Sequence, residues 1–361
     1  MTAPAAAPAA EAPGLTAYRM PAEWEPHRAT WLAWPHHAAD WPGKFAAIPW
    51  VYAEIIRYLA GSETVCILVA DAKMQQRARR VLQKAGVSLG RVDFFQVPTD
   101  RVWTRDYCPI FVVNAAGEVA LTDWHFNGWA KYPNWQRDDA VSRRVAELLG
   151  RPIRQPTVRG KRIVLEGGSI DVNGAGLLLT TEECLLSPVQ ARNPGLSQEK
   201  LEAVLCENLG VKKVLWLNHG IAGDDTHGHV DDLARFVNER TVVIATEDDP
   251  DDENYEPLQE NLERLKSMTD LAGKPLEVVP LPLPDPVVFA GQRLPASYAN
   301  FYIANDRVLV PTFNDPMDRV ALATLAEQFP EREVVGIHSV DLVWGLGTLH
   351  CLTQQEPLGN G

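Results

Sequence analysis

Five side chains in this sequence have the chemistry and placement to act together: Cys351, His229, Asp231, Asp106 and Glu166. Cys351 follows Gly345 and Gly347 at the end of an apolar, strand-like run over 334–343. Glycines there free the backbone to turn or to approach a ligand. A thiol delivered just past such a turn has the placement of a nucleophile. It is equally the kind of small residue that fills a core. His229 and Asp231 belong to Gly223-Asp224-Asp225-Thr226-His227-Gly228-His229-Val230-Asp231-Asp232. If 229–237 is a strand, its period of two puts imidazole and carboxylate on one face. Asp106 closes Val102-Trp103-Thr104-Arg105-Asp106, where an Arg-Asp pair taken alone reads as a surface ion pair of ~0–1 kcal/mol. Glu166 precedes two glycines in Leu165-Glu166-Gly167-Gly168-Ser169, a carboxylate on free backbone or a simple tight turn.

Several acids beside a cysteine raise its pKa and suppress the thiolate. The combination makes sense if the substrate itself carries a cation. A planar guanidinium matches two carboxylates through bidentate hydrogen bonds. Its carbon is electrophilic, and the bound cation favours the thiolate that attacks it. His229 would protonate the departing ammonia and then activate water. The reaction class is nucleophilic hydrolysis of a cationic C–N centre. A metal site is the competing reading of the 223–232 run, since two His and several Asp there could ligate a hydrolytic ion. A metal hydrolase of guanidines would carry a second such cluster, whereas His125, His219, His338 and His350 stand apart from carboxylate pairs along the chain. No metal or other cofactor is expected.

The elements that position these residues follow a repeat. Asn114, Asn173, Asn238 and Asn305 each sit between two apolar β runs, a hairpin signal because Asn tolerates left-handed φ. Each hairpin leads to a helical stretch, at 138–149, 197–209, 255–269 and 318–329, and then to a further strand, at 153–158, 211–217, 276–281 and 333–340. The segment 29–97 supplies a fifth unit with a less obvious hairpin. Five strand–strand–helix–strand units cannot each bury a sheet face alone, so a closed α/β propeller is expected, with ligand at its axis. Five tryptophans, Trp24, Trp31, Trp34, Trp41 and Trp50, read as packing in preference to a ligand wall.

Composition bounds the rest. The chain has 361 residues, 46% hydrophobic and 22% charged, an ordinary globular balance. A net charge of −13 argues against a nucleic-acid binder. Cysteines 66, 108, 184, 206 and 351 form no CxxC pair, which suits a reducing compartment without structural zinc. The Ala/Pro-rich stretch 1–14 reads as a disordered tail without the features of a signal peptide. No run approaches a membrane span. The expectation is one catalytic domain over 15–361, in the cytoplasm.

Taken together, the motifs resemble the agmatine deiminase and bacterial-type peptidylarginine deiminase family, guanidine-modifying enzymes of the pentein fold. They are MPAEWEPHRATWLAWP (20–35), WTRDYCPIFVVN (103–114), LEGGSIDVNGAGLLLTTEECLL (165–186), RNPGLS (192–197), GHVDD (228–232), PASYANFYI (295–303) and LHCLTQQEP (349–357). The resemblance implies a pseudo-fivefold ββαβ propeller around a central site. It also implies Cys351 as nucleophile, His229 as general acid/base, and Asp106 and Asp231 as guanidinium binders. Glu166 would orient His229 or bind a guanidinium nitrogen, and Trp103 would cover the reacting end of the substrate. The implied substrate is a small cationic guanidine, first agmatine on the way to putrescine, with free arginine, peptidyl arginine or another alkylguanidine as alternatives. A homo-oligomer is expected on the same ground. A catalytically silent guanidine-binding protein is the reading from another class. The chain departs from the common family pattern at Gly345-Leu346-Gly347-Thr348-Leu349, at Cys108 and at Gly128-Trp129-Ala130-Lys131-Tyr132, all expected to border the pocket.

Overall fold

The computed structural model describes residues 17–360, so the tail expected over 1–14 lies outside the described residues. The fold is mixed α/β. Three sheets have the same plan, an antiparallel hairpin whose second strand pairs parallel with a third after an intervening helix. They are Asp171–Val172, Leu177–Thr181 and Lys213–Leu217; Ala234–Phe236, Thr241–Thr246 and Glu277–Pro282; and Tyr302–Ile303, Arg307–Thr312 and Glu333–His338. The helices between are Gln198–Leu209, Tyr255–Lys266 and Pro316–Gln328. A fourth sheet follows the plan with Ile110–Asn114, Val119–Thr122 and Ile153–Arg154, and adds Tyr18–Arg19 on its edge. Its third strand is shorter than the expected 153–158. Pro156 offers no N–H to continue the ladder, and Thr157–Val158 turns away to pair with Lys161–Arg162.

The repeated asparagines have a physical role in three of the four turns. Asn114 Oδ1 accepts from the amides of Ala116 and Glu118, Asn173 Oδ1 from Ala175 and Leu177, and Asn238 Oδ1 from Arg240 and Thr241, all at 2.9–3.0 Å. A side chain thus substitutes for turn backbone. Asn305 does something else: its amide brackets the backbone of His27, accepting from the N–H at 2.8 Å and donating to the C=O at 2.9 Å.

That contact introduces the largest departure from expectation. Segment 29–97 forms no hairpin of its own. His27–Ala33 pairs antiparallel with Gln354–Pro357 from the far end of the chain, in the register Thr30↔Gln355 and Trp31↔Gln354. It then pairs parallel with Thr64–Val69, which pairs parallel with Val92–Gln96. The helices Ile48–Leu59 and Ala72–Lys84 make the crossovers, the second capped by Asp71 accepting from the Met74 amide at 2.7 Å. This sheet is therefore completed by Gln354–Pro357, three residues after Cys351. Trp31 and Trp41 are fully buried and Trp34 nearly so, as packing predicts, but Trp50 lies 48% exposed. Among the described residues, no helix is long and apolar enough to cross a membrane.

Candidate active site

The five candidate residues converge, all buried. Asp106 sits on the single helical turn Thr104–Tyr107. That turn is tied to the nucleophile loop: Thr104 Oγ1 donates to the Leu352 carbonyl at 2.6 Å and the Arg105 amide to the Cys351 carbonyl at 3.2 Å. Arg105 itself is buried and donates to Gln355 and Glu23, so the surface ion pair that the Arg-Asp sequence suggested does not form. Asp106 accepts from the Gly168 amide at 3.1 Å and from Trp129 Nε1 at 2.9 Å. Burial, reinforced by Asp231 and Glu166 against the opposing pull of His229, lifts its carboxyl to about 6.

Glu166 precedes a short 3₁₀ turn, Gly167–Ser169, the tight turn that its two glycines suggested. Gly168 passes through the middle of the site. A Cβ there would stand 2.7 Å from His229 Nδ1, 2.8 Å from Asp106 Oδ1 and 2.9 Å from Asp231 Oδ2. Glu166 accepts from Arg192 Nε at 3.0 Å. Burial opposes its ionisation, but the Arg192 guanidinium and His229 hold it down to about 2.

His229 and Asp231 do not share a strand. Val230–Asp232 is a 3₁₀ turn and the strand begins only at Ala234, because the Asp224 carboxylate gathers the amides of Gly228 and His229 at 2.9 and 3.0 Å and coils the loop. The two side chains still meet. His229 Nδ1 lies 3.9 Å from Asp231 Oδ1 and 3.8 Å from Asp106 Oδ1, with Nε2 3.8 Å from Glu166 Oε2. Among the described residues neither ring nitrogen has a hydrogen-bond partner. Burial alone would discharge the ring, but Asp106 and the adjoining Cys184 and Glu166 raise its pKa well above the ordinary value.

Cys351 Sγ accepts from Asn300 Nδ2 at 3.1 Å and lies 3.8 Å from Asp231 Oδ2. Asn300 Oδ1 also receives the Thr348 hydroxyl at 2.7 Å and the His350 amide at 3.0 Å, which fixes the loop that presents the thiol. Burial first, then Asp231, Asp232 and Asp106, push the thiol well above its ordinary value. His350, isolated along the chain, is not isolated in space: its ring spans Asp231 Oδ2 at 2.6 Å and Glu23 Oε2 at 2.8 Å. Burial opposes ionisation of both acids, yet His350 holds Asp231 down, and Arg235, His350 and Arg105 hold Glu23 far down.

Cys351 and Asp106 open onto a cavity of about 230 Å³, walled by Trp103, Trp129, Trp344 and Leu346 and edged outside by Asp40, Arg101 and Asp225. Donor spacing alone would let Glu166, Cys184 and His229, or Asp231, Asp232 and Cys351, surround an ion. In the first group, however, the Arg192 guanidinium already occupies the carboxylate. Sequence reasoning missed Glu23, Trp129, Arg192, Asn300 and His350. All five lie in motifs or segments that it quoted, but a neutral amide or an unpaired His carries no spacing signal of its own.

A sequence profile described as Porphyromonas-type peptidyl-arginine deiminase matches residues 19–357. The chain belongs to this family. The agmatine deiminase of Ectopseudomonas mendocina is 37% identical over 97% of this chain and 98% of its own length. That of Pseudomonas aeruginosa is 37% identical over 96% and 97%. Among solved structures, the agmatine deiminase of Enterococcus faecalis superposes with a TM-score of 0.89 at 33% identity, covering 98% of this chain and all of that one. A Cys-to-Ser C. jejuni agmatine deiminase with substrate bound gives 0.85 at 29% identity, over 95% and 97% of the two chains.

Proposed function

We propose that this member of the family is an agmatine deiminase, hydrolysing agmatine to N-carbamoylputrescine and ammonia. The carrying observation is the unpartnered imidazole of His229, 3.8–3.9 Å from Asp106, Glu166 and Asp231, beside a thiol that faces the same acids. Such a site leaves a carboxylate oxygen of Asp231 unpaired beside the thiol, and a guanidinium supplies the missing donors. Asp106 and the free Oδ1 of Asp231 take its N–H edges. The bound cation lowers the thiol pKa that burial and the acids had raised, and the thiolate adds to the guanidinium carbon. His229, kept charged by its carboxylates, gives a proton to one amino nitrogen, the C–N bond breaks and ammonia leaves. The planar thiouronium on Cys351 is then attacked by a water that His229 deprotonates. The C–S bond breaks, the ureido product departs and the thiolate is restored. Trp103 covers the reacting end, and Glu166, held by Arg192, orients His229.

The cavity supports a small substrate: about 230 Å³ is below the ~300–1,000 Å³ of sites for larger ligands. Agmatine is also the substrate named by the relatives. The same reading includes five units closed round one axis as a single catalytic domain over 15–361, and a cytoplasmic place in putrescine formation. Purified protein should release ammonia and ureido product fastest from agmatine in a panel with arginine and an acyl-arginine amide, and Cys351→Ala should release none. Full turnover by that variant would remove the covalent mechanism. Urea as product would point to a ureohydrolase, and binding without turnover of any guanidine to a silent binder.

A further inference from the structure

We propose that Leu346 sets substrate selectivity at this site, admitting guanidines carried on a slim, unbranched alkyl stem and turning away branched ones. The proposal rests on the deiminase reading above. Leu346 lies between two glycines whose side-chain positions are already taken. A Cβ on Gly345 would fall 2.6 Å from the indole of Trp41, and one on Gly347 would fall 2.8 Å from Trp103 Cζ3 and 3.2 Å from Cys351 Cβ. Leu346 is therefore the one residue of the three with room for a side chain, and it has a large apolar one.

Its backbone is left-handed, at φ +67° and ψ +29°, where it ends the 3₁₀ turn Val343–Gly345. Its amide donates to the Val343 carbonyl at 2.9 Å. Glycine or asparagine takes such a conformation at least cost, and a leucine there is strained. Strained residues persist where the surroundings hold them, and they concentrate at functional sites. Leu346 is half-buried and lines the cavity that ends at Cys351, the nearest cavity-lining residue with a side chain before Cys351 on this loop.

A guanidinium seated at Cys351 sends its stem out through the cavity, along Leu346. A methylene stem meets an apolar surface there. A carbon bearing a carboxylate, an amide or an acylamino group would have to displace the leucine and lose its hydration against it. The turn, fixed by Trp41 and Trp103 against its glycines, leaves the leucine little room to withdraw.

The test compares wild type with Leu346→Ala, Leu346→Gly and Leu346→Met on agmatine, arginine and an Nα-acyl-arginine amide. Both truncations should lower the ratio of kcat/KM for agmatine over the acyl-arginine amide at least tenfold, through opposite changes in the two KM values. Leu346→Met, which keeps the bulk, should retain the wild-type ratio. Leu346→Gly should melt several degrees above Leu346→Ala, because only glycine relieves the left-handed backbone, while the two share one selectivity. Folded, active truncations with unchanged ratios, or an equal loss of kcat on every substrate, would overturn the selectivity role and leave the deiminase reading standing. A wild-type protein that turns over no guanidine would overturn both.

Discussion

Asp106 and Glu166 are buried carboxylates on either side of one imidazole, and their surroundings drive them apart, to about 6 and about 2. Glu166 has a guanidinium of its own. Asp106 has only an amide, an indole N–H and a share of His229, so it waits for a cation. In the free protein near pH 6 Asp106 is about half protonated; a bound guanidinium favours its carboxylate, so its pKa falls and a proton leaves. Calorimetry of agmatine binding to Cys351→Ser, run at pH 6 in buffers of different ionisation enthalpy, should record this proton release, fading by pH 8. Uptake or no exchange at pH 6 would contradict the assignment. His350 makes a second prediction at this scale. His350→Gln leaves Glu23 and Asp231 without the ring that separates them, so agmatine KM should rise about tenfold or more, on the ~1–3 kcal/mol scale of leaving a buried acceptor unsatisfied. An unchanged KM in a folded variant would place His350 outside substrate binding.

At the scale of elements, the site is made from turns, which strands merely deliver. Gly168 shows why: its backbone fits between three catalytic candidates only without a Cβ, although its φ is not left-handed. Gly168→Ala should therefore cost at least ~100-fold in kcat/KM, the scale of a misplaced catalytic group, while the backbone itself tolerates alanine and Tm moves little. Retained activity would mean that the turn can retreat. The 228–232 loop carries a related lesson. Strand alternation was the reason for pairing His229 with Asp231, and that reason fails, since a carboxylate N-terminal to them coils the loop. The pairing survives because His229, extended at the entry to that turn, still stands 3.9 Å from Asp231.

At the scale of the molecule, segments more than 300 residues apart in sequence meet beside the site. Gln354–Pro357 completes the sheet begun by His27–Ala33, and Glu356, itself buried, accepts from Trp31 Nε1 at 2.9 Å. A chain ending at Thr353 retains Cys351 yet loses that strand, exposing the central edge of His27–Ala33. It should lose cooperative thermal unfolding in circular dichroism and precipitate; a soluble, cooperatively melting truncation would show that the sheet needs no closing strand. The unit plan was legible in the sequence, through Asn turns and alternating apolar runs that are local signals. The candidate groups that converge in the structure were also legible there, because thiol, imidazole and carboxylates announce themselves by type. Tertiary structure alone decided that the fifth hairpin comes from residues more than 300 apart, that His350 joins two acids, and that Arg192 and Asn300 serve Glu166 and Cys351. Those facts depend on contacts between distant turns, and burial there turns an ordinary Asn, His or Arg into a partner for a charge or a thiol.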